Sequence, residues 1–96
     1  MSWAVSVGNV ETDHTYNTSK MIKEVCGSTP SDWAGKIARD LLPILANGII
    51  SLRSNSEEYR KYEPDNKWGT VETTINFLEE IEQGCRDNPN DIVSVF

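Results

Sequence analysis

The chain has only two cysteines, Cys26 and Cys85, and a single histidine, His14. A disulfide scaffold or a zinc site needs more than this, about four thiol or imidazole ligands for zinc, and no Cys-x-x-Cys spacing occurs. Both cysteines fall at the apolar end of a helical pattern, where a free thiol behaves as a small hydrophobe. Basic residues are also scarce. There are 9 Lys and Arg against 15 Asp and Glu, for a net charge of −6. Gripping nucleic acid through its phosphates needs a basic face, so direct nucleic-acid binding is not expected. Long apolar runs are missing as well. The longest, residues 41–52, is interrupted by Pro43, Asn47 and Gly48 and falls well short of the roughly 20 residues that cross a bilayer. Met1-Ser2-Trp3-Ala4-Val5 has neither a basic cluster nor a continuous apolar segment, so it does not read as a secretory signal. The expected location is cytoplasmic.

Catalytic patterns are missing too. Gly-x-Ser-x-Gly, phosphate-cradling glycine loops, His-Glu-x-x-His and the calcium-loop pattern do not occur. His14 could serve as a general base, but nothing marks an activated nucleophile or an orienting carboxylate beside it. Asp13 points the other way if the segment is extended. Glu79 and Glu82 lie at helical spacing on an outward face, whereas acid–base work needs a pocket. The expectation is a protein that is not an enzyme and has no metal or cofactor.

What is present is a folding pattern. Apolar residues make up 38% and charged residues 25% of the 96 positions, enough to bury one core, and residues 1–96 read as one small domain. Such a chain buries only about 60–65% of its unfolded surface, so a homo-oligomer is expected to add stability. Residues 3–10 alternate, with Trp3, Val5 and Val7 on one side, as in a strand with one buried face. Residues 11–17 are polar without a period and read as a loop. Thr18 or Ser19 can cap a short helix carrying Met21, Ile22 and Val25, ended by Gly27 and Pro30.

Ser31 or Asp32 can cap the next helix, led by Trp33, with a stripe of Ile37, Leu41, Ile44, Leu45, Gly48 and Leu52. Ala38, Leu42, Ile49 and Ile50 widen that stripe to most of the circumference, which suits the centre of the fold or an oligomer interface. Gly48 either admits another helix closely or only weakens this one. After a helical turn through Tyr62 and a loop at residues 64–69, a last helix spans residues 70–86. It buries Val71, Ile75, Leu78, Ile81 and Cys85, with Phe77 at the margin. Residues 92–96 form a short strand that suits pairing with the first. The expected fold is α+β, in the order β-α-α-α-β, with helices packed on a two-stranded sheet made by the N- and C-terminal strands.

Two features point towards function. Residues 1–56 carry five acidic and five basic side chains, so the whole excess of negative charge lies in residues 57–96. The face bearing Glu72, Glu79 and Glu82 is either a solvated surface or a docking face for a basic protein surface. The second feature is a pair of polar–aromatic segments, His14-Thr15-Tyr16-Asn17 and the stretch from Tyr59 through Tyr62, Pro64 and Asn66 to Trp68-Gly69. Rings beside amides and cations suit a planar polar ligand, stacked on the ring and held at its edges. Tyr16, Asn17, Arg60, Asn66, Lys67 and Trp68 are the candidate ligand-binding residues. The competing reading makes Trp68-Gly69 a loop anchor and Tyr59 and Tyr62 half-buried staples.

At these residues the chain resembles a family of small uncharacterised proteins of phages, prophages and actinobacteria. Tyr16-Asn17-Thr18-Ser19-Lys20-Met21 is similar to its Tyr-Asn-x-Ser-x-Met segment, and Leu42-Pro43-Ile44-Leu45 to its Leu-Pro-x-Leu element. Tyr59-Arg60, Pro64, Asn66, Trp68 and Gly69 match its Tyr-Arg…Pro-x-Asn-x-Trp-Gly loop. Phe77-Leu78, Cys85, Pro89, Val93 and Val95 follow its later pattern. Lys67 stands where the family often has Gly, and Thr70-Val71 where it has Asp-Tyr, which puts any site shared through that pair in doubt. The resemblance implies an accessory protein of a bacterial virus or mobile element, a setting in which small acidic proteins often inhibit host defence. The leading expectation is a non-enzymatic anti-defence protein that sequesters a nucleotide-derived immune signal. The alternatives are an anti-CRISPR-type inhibitor that docks its acidic helix on a defence protein, and a structural or assembly accessory protein.

Overall fold

Alternation in the first residues produces the expected strand. In the computed structural model, which describes residues 2–66 and 68–96, β1 (Ser2–Val7) buries Trp3, Val5 and Val7 and leaves Ala4 and Ser6 half-exposed. The chain then reverses through Gly8-Asn9 into β2 (Val10–Thr15), which runs antiparallel to β1 with Trp3 opposite His14 and Val7 opposite Val10. A two-residue turn of this composition is a hairpin signal. The expectation of a loop over residues 11–17 is therefore corrected. The inward positions after Val10 are Thr12 and His14, so the strand alternates without an apolar signature.

Thr18 precedes α1 (Ser19–Cys26), whose buried face is Met21, Ile22 and Val25. Pro30 opens a helix instead of ending one. Thr29 and Asp32 cap α2 (Pro30–Trp33) reciprocally, and Asp32 accepts from the Thr29 amide at 3.0 Å. The apolar pattern expected as one helix is split here, because residues 35–38 bond to the C-terminal segment. The Gly35 amide donates to the Val93 carbonyl, the Val93 amide to Lys36, and the Ala38 amide to Asp91.

The central helix, α3 (Ala38–Ser54), passes unbroken through Pro43 and buries Ala38, Leu41, Leu45, Gly48, Ile49 and Leu52. Leu42 and Ile44 are half-buried and only Ile50 stands well out, so nearly the whole apolar circumference is covered within the chain. Gly48 admits α1. A β-carbon there would stand 2.5 Å from the Cys26 sulfur. After the single turn α4 (Ser56–Tyr59) and a short 3-10 turn, Thr70 caps α5 (Val71–Asp87). Phe77, placed at the margin by the sequence pattern, is buried with Leu78 and Ile81.

The last strand, β3 (Ser94–Val95), pairs antiparallel with β1 as expected, giving the order β2-β1-β3. The architecture is α+β, but among the described residues it has three strands and five α-helices rather than two strands and three helices. Among the described residues, no helix is long and apolar enough to cross a membrane.

Candidate ligand-binding site

The loop between α4 and α5 is brought onto the hairpin by a sequence of local bonds. Tyr59 and Tyr62 stack with centroids 6.3 Å apart and pack half-buried against the core, as the staple reading has it. Glu63 then turns inward, and its carboxylate accepts from the Val71 amide at 2.9 Å and from Arg60 at 3.1 Å. The Asn66 side-chain oxygen accepts from the Trp68 amide at 2.9 Å, a local turn that asparagine favours. Gly69 has φ +105°, and a β-carbon on it would lie 2.6 Å from the Thr18 methyl and 2.7 Å from the Thr15 methyl. Only glycine fits both that backbone and that space. The two polar–aromatic segments therefore meet, through Gly69 on one side and Thr15 and Thr18 on the other.

An open recess of about 330 Å³ lies at this junction, bordered by Ser2, Asp13, His14, Thr15, Trp68, Gly69 and Thr73. His14 forms its fixed wall. The imidazole stacks on Phe77 with centroids 5.0 Å apart, and Nε2 lies 3.0 Å from the Thr74 hydroxyl. That hydroxyl also lies 2.8 Å from the Thr70 carbonyl, so it links the imidazole to the first turn of α5. Among the described residues, no buried side-chain nitrogen or oxygen lacks a hydrogen-bond partner. Burial holds the imidazole pKa below its ordinary value, with the Asp13 carboxylate pulling weakly the other way. Trp68 also borders the recess, with 69% of its surface exposed.

Of the expected ligand residues, Trp68 borders the recess. Asn66 is next to it but uses its oxygen on the Trp68 amide. Tyr16 packs on Trp3, with ring centroids 4.8 Å apart, and the Asn17 backbone N–H donates to the Thr15 hydroxyl. Arg60 points into a carboxylate cluster, with Nε on Glu57 at 3.0 Å, Nη1 on Glu63 and Glu72 at 3.1 Å each, and Nη2 on Glu72 at 2.7 Å. Lys67 lies outside the described residues. The alternative docking residues are each paired with an arginine: Glu72 with Arg60, Glu79 with Arg53, and Glu82 with Arg86 at 3.4 Å. The sequence reading named the segments that meet, Gly69 included, but not Ser2, Asp13 or Thr73 as neighbours, and it placed His14 in a loop.

The recess is bordered by three hydroxyl residues, one carboxylate residue and the His14 and Trp68 rings. Among the described residues that border it, Asp13 carries the only charge. At the start of α5 the Val71 amide donates to Glu63 and the Thr73 amide to the Thr70 hydroxyl at 3.1 Å. Among the described residues, no three His, Cys, Asp or Glu side chains gather to hold a metal ion. Burial pushes the thiols of Cys26 and Cys85 up to about 12 and about 11, so both are protonated at neutral pH. No family model, curated protein or solved structure matches the chain.

Proposed function

We propose that this chain is a non-enzymatic, phage-type anti-defence protein that binds a small nucleotide-derived signalling molecule in the recess beside Trp68. It would withdraw that molecule from solution in the cytoplasm of an infected bacterium. One observation carries the reading: two polar segments far apart in sequence converge on an open recess, and a large indole stands beside it in water. An exposed indole is a stacking face for a base, worth about 1–3 kcal/mol. The stacked His14 and the glycine at the junction set one wall in a fixed place, which limits the entropy lost on binding. The docking alternative has less support, because pairing with Arg53, Arg60 and Arg86 offsets the charge that would steer it.

Calorimetry with a panel of cyclic and ADP-ribose-derived nucleotides tests the reading. Heat of binding is expected, lost in Trp68→Ala and kept in Glu79→Lys. Absence of binding across the panel overturns it.

A further inference from the structure

We propose that the outer edge of β2 accepts an extended segment of another protein, one carrying Lys or Arg at alternate positions, as an added strand of the sheet. This does not rest on the nucleotide reading of the recess. It starts from the direction of backbone groups. The Ala4 amide donates to the Phe96 carbonyl at 3.1 Å, and the Phe96 amide to the Ala4 carbonyl at 2.8 Å. Ala4 and Ser6 therefore bond towards β3, and Trp3, Val5 and Val7 towards β2. His14, Thr12 and Val10, which lie opposite those three, bond back to β1. The N–H and C=O groups of Glu11 and Asp13 then point away from β1, along the outside of the order β2-β1-β3. The stretch ends at Thr15, whose carbonyl accepts from the Thr18 hydroxyl at 3.0 Å.

Side-chain charge selects the occupant. Glu11 and Asp13 lie opposite Ser6 and Ala4, on the face away from Trp3, Val5 and Val7, and both are exposed. An antiparallel strand added here sets one of its own residues directly across from each carboxylate. A second copy of the chain is a poor fit. Pairing β2 with β2 about Thr12 places Glu11 against Asp13 twice, and a shift of register places Glu11 or Asp13 against itself. The net charge of −6 also repels a copy and attracts a basic partner. Lys or Arg at the two facing positions makes opposite-charge pairs instead, while main-chain bonds hold the strand. Charges on an edge guard it against aggregation. Here the guard is selective: it excludes a copy and admits a basic strand.

Amide exchange followed by NMR on the intact chain tests this. The probe is the peptide Thr-Lys-Val-Lys-Val-Thr, and Thr-Glu-Val-Glu-Val-Thr is its charge-reversed control. Since the amides of Thr12 and His14 already bond to β1, only alternate positions should respond. Exchange at Glu11 and Asp13 is expected to slow about threefold or more with the lysine peptide and to stay unchanged with the glutamate peptide. In the double variant Glu11→Lys, Asp13→Lys the preference should reverse. If neither peptide slows these two amides, or both slow them equally, the carboxylates only guard the edge and the inference fails. It fails too if the two amides are protected without peptide, increasingly so at higher protein concentration, because a second copy then fills the edge.

Discussion

His14 and Trp68 border the same recess, but one ring is fixed to the core and the other stands in water. His14 is stacked on Phe77, bonded to Thr74 and opposed across the hairpin by Trp3. Trp68 is held through its backbone, by the Asn66 side chain and by the fit of Gly69 against Thr15 and Thr18. Side-chain packing positions the first wall and chain geometry the second. A substitution should therefore separate stability from binding according to which wall it touches.

The largest effect is expected at the platform beneath His14. Phe77→Ala removes a buried ring from between α5 and the sheet and leaves a cavity, a loss of about 3–5 kcal/mol. For a domain of this size that lowers the melting temperature by roughly 15–30 °C. A loss under about 1 kcal/mol in denaturant titration would show that the stack on His14 is incidental and the wall is held otherwise. Gly69→Ala should come next, at about 1–3 kcal/mol, because alanine resists φ +105° and its methyl would meet Thr15 and Thr18. It should also swing Trp68 away and abolish ligand heat. An alanine variant that melts and binds like the parent would break the claim that this glycine joins the two walls.

How much of this was legible in the sequence follows from the same contrast. The helices could be read because their apolar positions repeat: Met21, Ile22 and Val25 in α1, and Leu41, Leu45 and Leu52 in α3, are buried as their spacing implies. Thr70 was recognisable as the boundary of α5. The strand β2 was missed because its inward residues, Thr12 and His14, are polar; the local sign was the turn at Gly8-Asn9, not periodicity. Reading that turn would have placed His14 opposite Trp3 and hence on the inner face. The partners of Arg60 were hidden for a different reason. A cation next to aromatics looks available for a ligand, but Glu72, twelve positions later in sequence, comes back to it only once α5 is docked. The convergence at Gly69 is likewise a tertiary fact, although Asn66-Lys67-Trp68-Gly69 carried its turn chemistry openly.

Protonation tests the fixed wall more gently. The folded state holds the His14 pKa below its ordinary value, and the groups facing it from α5, Thr74 and Phe77, do not titrate. As pH falls below about 6.5 the unfolded chain takes up a proton that the folded chain refuses, so stability declines with acidity in that window and is constant above it for this group. His14→Gln, which can still hydrogen-bond to Thr74, should flatten that part of the profile. An equal slope in parent and variant would mean that His14 is freely protonated in place and is not a buried neutral wall.

The smallest effect on the fold should come from the exposed wall, and there the contrast is sharpest. Trp68 is 69% exposed, and its backbone is placed by Asn66 and Gly69 rather than by its own ring. Trp68→Ala should thus change stability by no more than about 0.5 kcal/mol, as surface substitutions usually do. Ligand binding should nevertheless disappear, since the stacking face is gone while His14, Asp13 and Gly69 stay where they are. A parallel denaturant and calorimetric titration reads both quantities. Stability lost together with binding would mean that the indole is part of the packing, and the recess would then be a seam in the fold rather than a site kept open for something else.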